Sequence, residues 1–358
     1  MPLYATAITR AFGAHLPVIQ APMAGGATTP ELVAAVCNAG GIGSFAAATL
    51  APKAIAEGAA RVRALTDRPF CINLFVLGEP QVDSAALERA CAWLAPMHAE
   101  LGIAPPQAPA RFCEDPEAQF EALLEAAPAL ASFAFGVHDA RQVERLHSRG
   151  CKVAGTATNL AEALAWQAAG ADFVCAQGAE AGGHRGTFVG KYEDSLIGTM
   201  ALVPQVVDAV KVPVIAAGGI MDGRGIAAAL MLGASAAQMG TAFLDCVESG
   251  IHDSWKQAIR AAGDTSTQVT LAFSGRMARG IENDFMRRMA AHGHEVPAYP
   301  AQNALTGAMR AAAGKANRPE YMSLWAGQGV AMSRTLPAAG LMRELEAGLN
   351  AALGTQAR

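Results

Sequence analysis

The chain has 358 residues, 52% of them hydrophobic and 16% charged, with a formal net charge of −4. Such a composition supports a large buried core and excludes global disorder. No basic run or aromatic–basic patch is present, which argues against a nucleic-acid partner.

Short apolar runs alternate with helical patterns along the chain. The first run, 17–21 (PVIQA), leads through Gly25-Gly26 to Thr29-Pro30-Glu31, a helix start with Thr29 as the cap. Asn38-Ala39-Gly40-Gly41 stops that helix just before the second run, 42–47 (IGSFAA). The further runs are 69–75, 130–135, 152–157, 172–177, 213–217 and 235–240. They are continuously apolar, as expected of strands buried on both faces. Amphipathic stretches such as DARQVERLHSRG and LAEALAWQAAG lie between them. Helix-ending glycines run almost directly into strands at Gly150, Gly170 and Gly233, a weak internal repeat.

Eight such units predict an α/β fold, a (β/α)8 TIM barrel with a smaller mainly helical lid or second domain. A doubly wound sheet is the alternative, but its dinucleotide fingerprint is missing after the first strand; the match beginning at Gly41 precedes a strand. The expected organisation is a barrel over 1–245, with a 76–115 insertion contributing to the lid. A mainly helical second domain over 246–320 and a C-terminal segment over 321–358 packing back on the barrel follow. The uncharged stretches 32–52 and 225–244 are rich in Ala and Gly and divide into helix, turn and strand, so no membrane span is expected. The N-terminus lacks a basic and apolar leader, and the seven cysteines form no CxxC; reduced thiols in a cytoplasmic protein are expected.

In a barrel of this kind the working face is the C-terminal end of the strands. Gly218-Gly219 after the seventh strand and Gly240-Thr241 after the eighth suit a phosphate held by backbone N–H groups. Asn73, Gln177 and Gln238 are amides, able to donate and accept, which suits the edge of a flavin ring. No lysine stands at a strand end for Schiff-base chemistry. The glycine-rich AQGAEAGGHRG (176–186) carries His184, the candidate acid–base residue. Glu180 and Arg185 are expected to brace that loop by ion pairing. His292 and His294 lack a further ligand at metal spacing, so no metal is expected. His15, His98, His147 and His252 fall in helical or linking segments and are read as structural. SGRMARG (274–280) supplies two arginines, for an anionic ligand or for bracing the lid.

The motifs QAPMAGG (20–26), AQGAEAGGHRG (176–186), VPVIAAGGI (212–220), AAQMGTAF (236–243), FSGRMARGI (273–281) and YMSLWAGQG (321–329) together resemble the nitronate monooxygenases, formerly 2-nitropropane dioxygenases, and among them the class I branch. The resemblance implies a TIM barrel with non-covalent FMN, contacted by Ala21, Pro22, Met23, Asn73, Gln177, Gly182, Gly218, Gly219, Gln238, Gly240 and Thr241. It implies that His184 is catalytic, removing an α-proton or positioning a nitronate. Alkyl nitronates of the propionate 3-nitronate type would be oxidised with O2 to a carbonyl compound and nitrite, a detoxification. The implied partners are a small nitronate or nitroalkane and O2, with a homodimer left open. An NAD(P)H-dependent flavin reductase of quinones or enoyl thioesters is the alternative reading. One departure stands out: the family's SFHFG is here Ser132-Phe133-Ala134-Phe135-Gly136. His138 is the nearest histidine to compensate for Ala134.

Overall fold

The computed structural model describes residues 4–78 and 83–354. Residues 79–82 of the expected insertion and 355–358 of the expected C-terminal segment lie outside the described residues. Each apolar run contains one strand of a parallel sheet: β1 (Val18–Gln20), β2 (Ser44–Ala46), β3 (Cys71–Phe75), β4 (Leu130–Ala134), β5 (Lys152–Ala157), β6 (Phe173–Gln177), β8 (Val214–Ala217) and β9 (Ala236–Met239). A separate antiparallel ribbon holds β7 (Gly183–His184), β10 (Thr267–Thr270) and β11 (Ala278–Ile281).

The large sheet runs β1-β9-β8-β6-β5-β4-β3-β2. It closes because Ile42, just before β2, donates to Val18 O at 3.0 Å and accepts from Gln20 N at 2.9 Å. The fully buried Gln20 seals the same seam, its Oε1 accepting from Ser44 N–H at 3.0 Å. The expected TIM barrel is thus borne out. Its interior carries Ile19, Cys71, Phe173, Cys175 and Ile215, and the short helix Ala7–Phe12 adds Ile8 and Phe12 to that layer. Thr29 caps the helix Pro30–Asn38, accepting from Leu32 N–H at 3.0 Å, a contact that stabilises by about 1 kcal/mol.

Over the barrel lies a second apolar core, shared by helices Ser84–Glu100, Asp253–Ala261, Asp284–Met289 and Gly307–Lys315. The segment 246–320 is not helical throughout. Its β11 pairs antiparallel with β10 and also with β7, which comes from the barrel loop after β6. The helix Ala338–Ala352 returns to the helix Gly223–Met231, and their backbones meet closely enough that a Cβ on Gly223 would lie 2.1 Å from Leu349 N. Among the described residues no helix is long and apolar enough to cross a membrane.

Candidate active site

A cavity of about 600 Å³ opens at the C-terminal ends of the barrel strands, beneath the lid. That size is typical of small-molecule sites. All twelve residues singled out from the sequence line it. Ala21, Pro22 and Met23 follow β1, and Asn73 lies in β3. Gln177 ends β6, and the next loop brings Gly182 and His184. Gly218 and Gly219 follow β8; Gln238 lies in β9, with Gly240 and Thr241 just beyond.

The three amides are held differently. Gln177 is held by its own loop at both ends of its amide, accepting from Gly186 N–H at 2.8 Å and donating to His184 O at 3.1 Å. Asn73 donates to Ser132 O and Oγ, both at 3.1 Å, which leaves its Oδ1 for the cavity. Gln238 has no protein partner among the described residues, so its whole amide is available to a ligand. Gly218 and Gly219 adopt φ of 113° and 71°, a region disfavoured for other residues. A Cβ on Gly218 would also lie 2.8 Å from Thr199 Oγ1. Gly182 faces the chain rather than open space: its Cβ would meet Gly327 N at 2.4 Å. Thr241 accepts from Gly327 N–H at 2.9 Å, with its own O–H still free to donate.

His184 sits in β7 and is fixed by its partner strand. Its Nε2 lies 2.9 Å from Ser274 Oγ. The same hydroxyl is 3.1 Å from Arg276 O, which can only accept, and receives Arg276 N–H at 3.3 Å. Ser274 therefore donates to the carbonyl, and the arrangement assigns the proton of neutral His184 to Nε2. Nδ1, with no partner among the described residues, is left as an acceptor at the cavity. Burial, reinforced by the charges of Arg276 and Arg310, holds the His184 pKa down at about 3. The imidazole is thus neutral at pH 7 and a weak base in this environment.

Several expectations are corrected. Glu180 and Arg185 do not pair: the Glu180 carboxylate accepts from Thr199 N–H and Oγ1–H at 2.9 Å, capping the following helix. Arg185 is buried and donates to the carbonyls of Gln177, Ser195 and Thr158. His138 does not compensate for Ala134. It is buried against Phe120 and Phe133, with Nδ1 2.9 Å from Gln142 Oε1, whereas Ala134 lines the cavity. His252, read as structural, also lines the cavity. His292 stacks on Trp93 at 4.0 Å, while the His294 side chain lies outside what is described. The arginines of SGRMARG brace: Arg276 donates to Arg185 O and Thr187 O, and Arg279 to Ala179 O and Thr267 O.

The rest of the wall comes from residues that sequence reasoning missed. Phe135 has φ of 77°, a strained conformation for a bulky residue, and is clasped between Phe75 at 4.1 Å and the Arg276 guanidinium at 3.9 Å. Tyr299 and Trp325 place their rings 5.8 and 5.5 Å from that of His184. Burial pushes the Tyr299 pKa up to about 12, so its phenol stays protonated. Asn303 and Arg310 complete this side. The string YPAQN carries no periodicity tied to the barrel, and Arg310 is a single cation in the Ala-rich GAMRAAAGK; neither gave a signal.

A family model described as nitronate monooxygenase matches residues 7–348. A protein of Staphylococcus saprophyticus named probable nitronate monooxygenase is 42% identical over 325 residues, covering 90% of this chain and 91% of that protein. Among solved structures, a nitroalkane oxidase from Streptomyces ansochromogenes is similar with a TM-score of 0.90 and 43% identity, over 98% of this chain and 99% of that one. FabK from Thermotoga maritima is similar with a TM-score of 0.76 and 27% identity, over 98% and 97%.

Proposed function

The chain belongs to the nitronate monooxygenase family, an oxidoreductase by that membership, and on that premise we propose that it uses FMN and O2 to oxidise alkyl nitronates to carbonyl compounds and nitrite. The observation that carries this reading is His184, presented on a braced strand with Nδ1 free at an aromatic-walled cavity.

The residues fit FMN. Gln238 and the Asn73 Oδ1 offer uncommitted donor and acceptor atoms for ring carbonyls and nitrogens. The bare backbone at Gly218-Gly219 and the Gly240-Thr241 pair, with its free hydroxyl, suit the phosphate. Ala21, Pro22, Met23 and Gly182 present small or flexible groups along a flat ligand. When bound, FMN supplies a one-electron acceptor for the nitronate and passes reducing equivalents to O2. Gln177 keeps His184 in place by gripping its carbonyl. His184 accepts an α-proton at Nδ1 from a neutral nitroalkane; a nitronate that arrives ionised meets a lone pair there, so His184 positions it by ring contact and not by a hydrogen bond. Its weak basicity makes proton removal the harder of the two roles. Phe75, Phe135 and Trp325 keep water from the reacting carbon.

All seven thiols are free, in keeping with the cytoplasmic location we also propose. The test is an anaerobic titration of the purified, FMN-loaded protein with propionate 3-nitronate and, separately, NADH, followed by oxygen uptake and nitrite release. Bleaching by the nitronate and nitrite formation in air are expected. Bleaching by NADH with no response to any small nitronate would overturn this reading in favour of a flavin reductase.

A further inference from the structure

Three arginines lie close to the site, Arg185 buried and Arg276 and Arg310 half-buried. Arg185 and Arg276 direct their guanidinium groups to backbone carbonyls, and neither lines the cavity. Arg310 differs. Its Nε donates to Thr306 Oγ1 at 3.2 Å, and its Nη2 to Asn303 O at 2.7 Å and Oδ1 at 2.9 Å. Nη1 has no protein partner, and no carboxylate pairs with the group among the described residues. Arg310 is also the sole Lys or Arg among the described residues lining the cavity, and no Asp or Glu lines it.

A half-buried guanidinium at a cavity wall, desolvated on its protein side and without a counter-charge, is completed by an anion entering that cavity. Nε and Nη2 are already committed, so the two N–H donors of Nη1 are what the guanidinium offers an anionic oxygen. Tyr299 lines the same cavity, and its hydroxyl, without a partner among the described residues, is a second donor there. Phe75, Phe135 and Ala134, which also line the cavity, offer an anion no side-chain hydrogen bond. We propose that Arg310 is the specificity-determining anchor of this cavity, its Nη1 taking an oxygen of an anionic group of the substrate, with Asn303 and Thr306 holding the rest of the guanidinium in place. The anion is a nitronate head or a carboxylate at the far end of the substrate; both share this chemistry. The assignment rests on the proposed function for its substrate, and explains how a site with Ala134 retains an anion.

The test compares wild type, Arg310→Met and Arg310→Lys, each loaded with FMN. Substrates are the nitronates of nitroethane and of 3-nitropropionate. Arg310→Met is expected to raise KM about 10- to 100-fold with kcat altered far less, since a hydrogen bond to a charged group is lost. Arg310→Lys, which keeps the charge and loses the contacts to Asn303 and Thr306 that aim it, should recover part of the loss. A KM rise on both nitronates identifies the head as the anion held; a rise confined to the 3-nitropropionate compound identifies the carboxylate. A second measurement needs no turnover: sodium propionate should raise the melting temperature of wild type above that in matched chloride, and propionamide should not. Arg310→Met should lose that protection. Should no nitronate be turned over by wild type, the proposed function fails while the propionate measurement still judges Arg310. Unchanged KM values with undiminished propionate protection, or loss of bound FMN as the sole effect of Arg310→Met, would overturn the proposal.

Discussion

Ser274→Ala isolates the support of His184 from the residue itself. Ser274 is 1% exposed, and its hydroxyl takes the Nε2 proton while donating to Arg276 O. The alanine leaves the imidazole N–H, the Arg276 carbonyl and the Arg276 N–H without this partner, at a cost of about 1–3 kcal/mol. For a chain of 358 residues the unfolding entropy is roughly 0.75 kcal/mol/K, so the melting temperature should fall by about 1.5–4 °C. The larger effect is functional. Without Ser274 the ring is free to carry its proton on Nδ1, which removes the acceptor from the cavity and costs about 10- to 100-fold in kcat with a neutral nitroalkane. Calorimetry and oxygen-uptake kinetics on the same FMN-loaded samples give both numbers. A variant with wild-type melting temperature and kcat within about twofold would refute the assigned tautomer and the role of the hydroxyl.

His184→Asn should abolish turnover of neutral nitroalkanes and leave a reduced turnover of preformed nitronates, read by oxygen uptake with nitroethane and with its nitronate. The His184 pKa is held at about 3, below its unfolded value near 6.5, so the folded chain binds fewer protons than the unfolded one between those values. Stability therefore falls as pH drops through that window, at up to about 1.4 kcal/mol per pH unit from this group, and the difference between His184→Asn and wild-type melts from pH 7 to pH 4.5 should reveal it. Gln238→Leu should leave apoprotein melting within about 1 °C yet weaken FMN binding by about tenfold, measured by fluorescence titration, because its amide has no other partner. Gly218→Ala forces a side chain into φ of 113° and against Thr199 Oγ1, and should strip bound FMN on gel filtration.

The barrel was legible because each of its strands is a local pattern, a short apolar run bounded by helix signals. The runs 152–157 and 172–177 coincide with β5 and β6 to within one residue. The residues brought together at the mouth were legible for the same reason: once the strands are known, their C-terminal ends must converge. What stayed hidden was everything fixed by contacts between distant segments. β7 is two residues long and exists only because β11, more than 90 residues later, pairs with it. That ribbon, not the glycines beside it, gives His184 its orientation and its Ser274 partner. Burial decided that Arg185 would serve carbonyls rather than Glu180, and that His138 would turn away from the cavity toward Phe133. Arg310 shows the limit most plainly. The sequence supplies one arginine in an alanine-rich helix, and only the packing of that helix over the barrel mouth removes its counter-charges and aims it at the cavity.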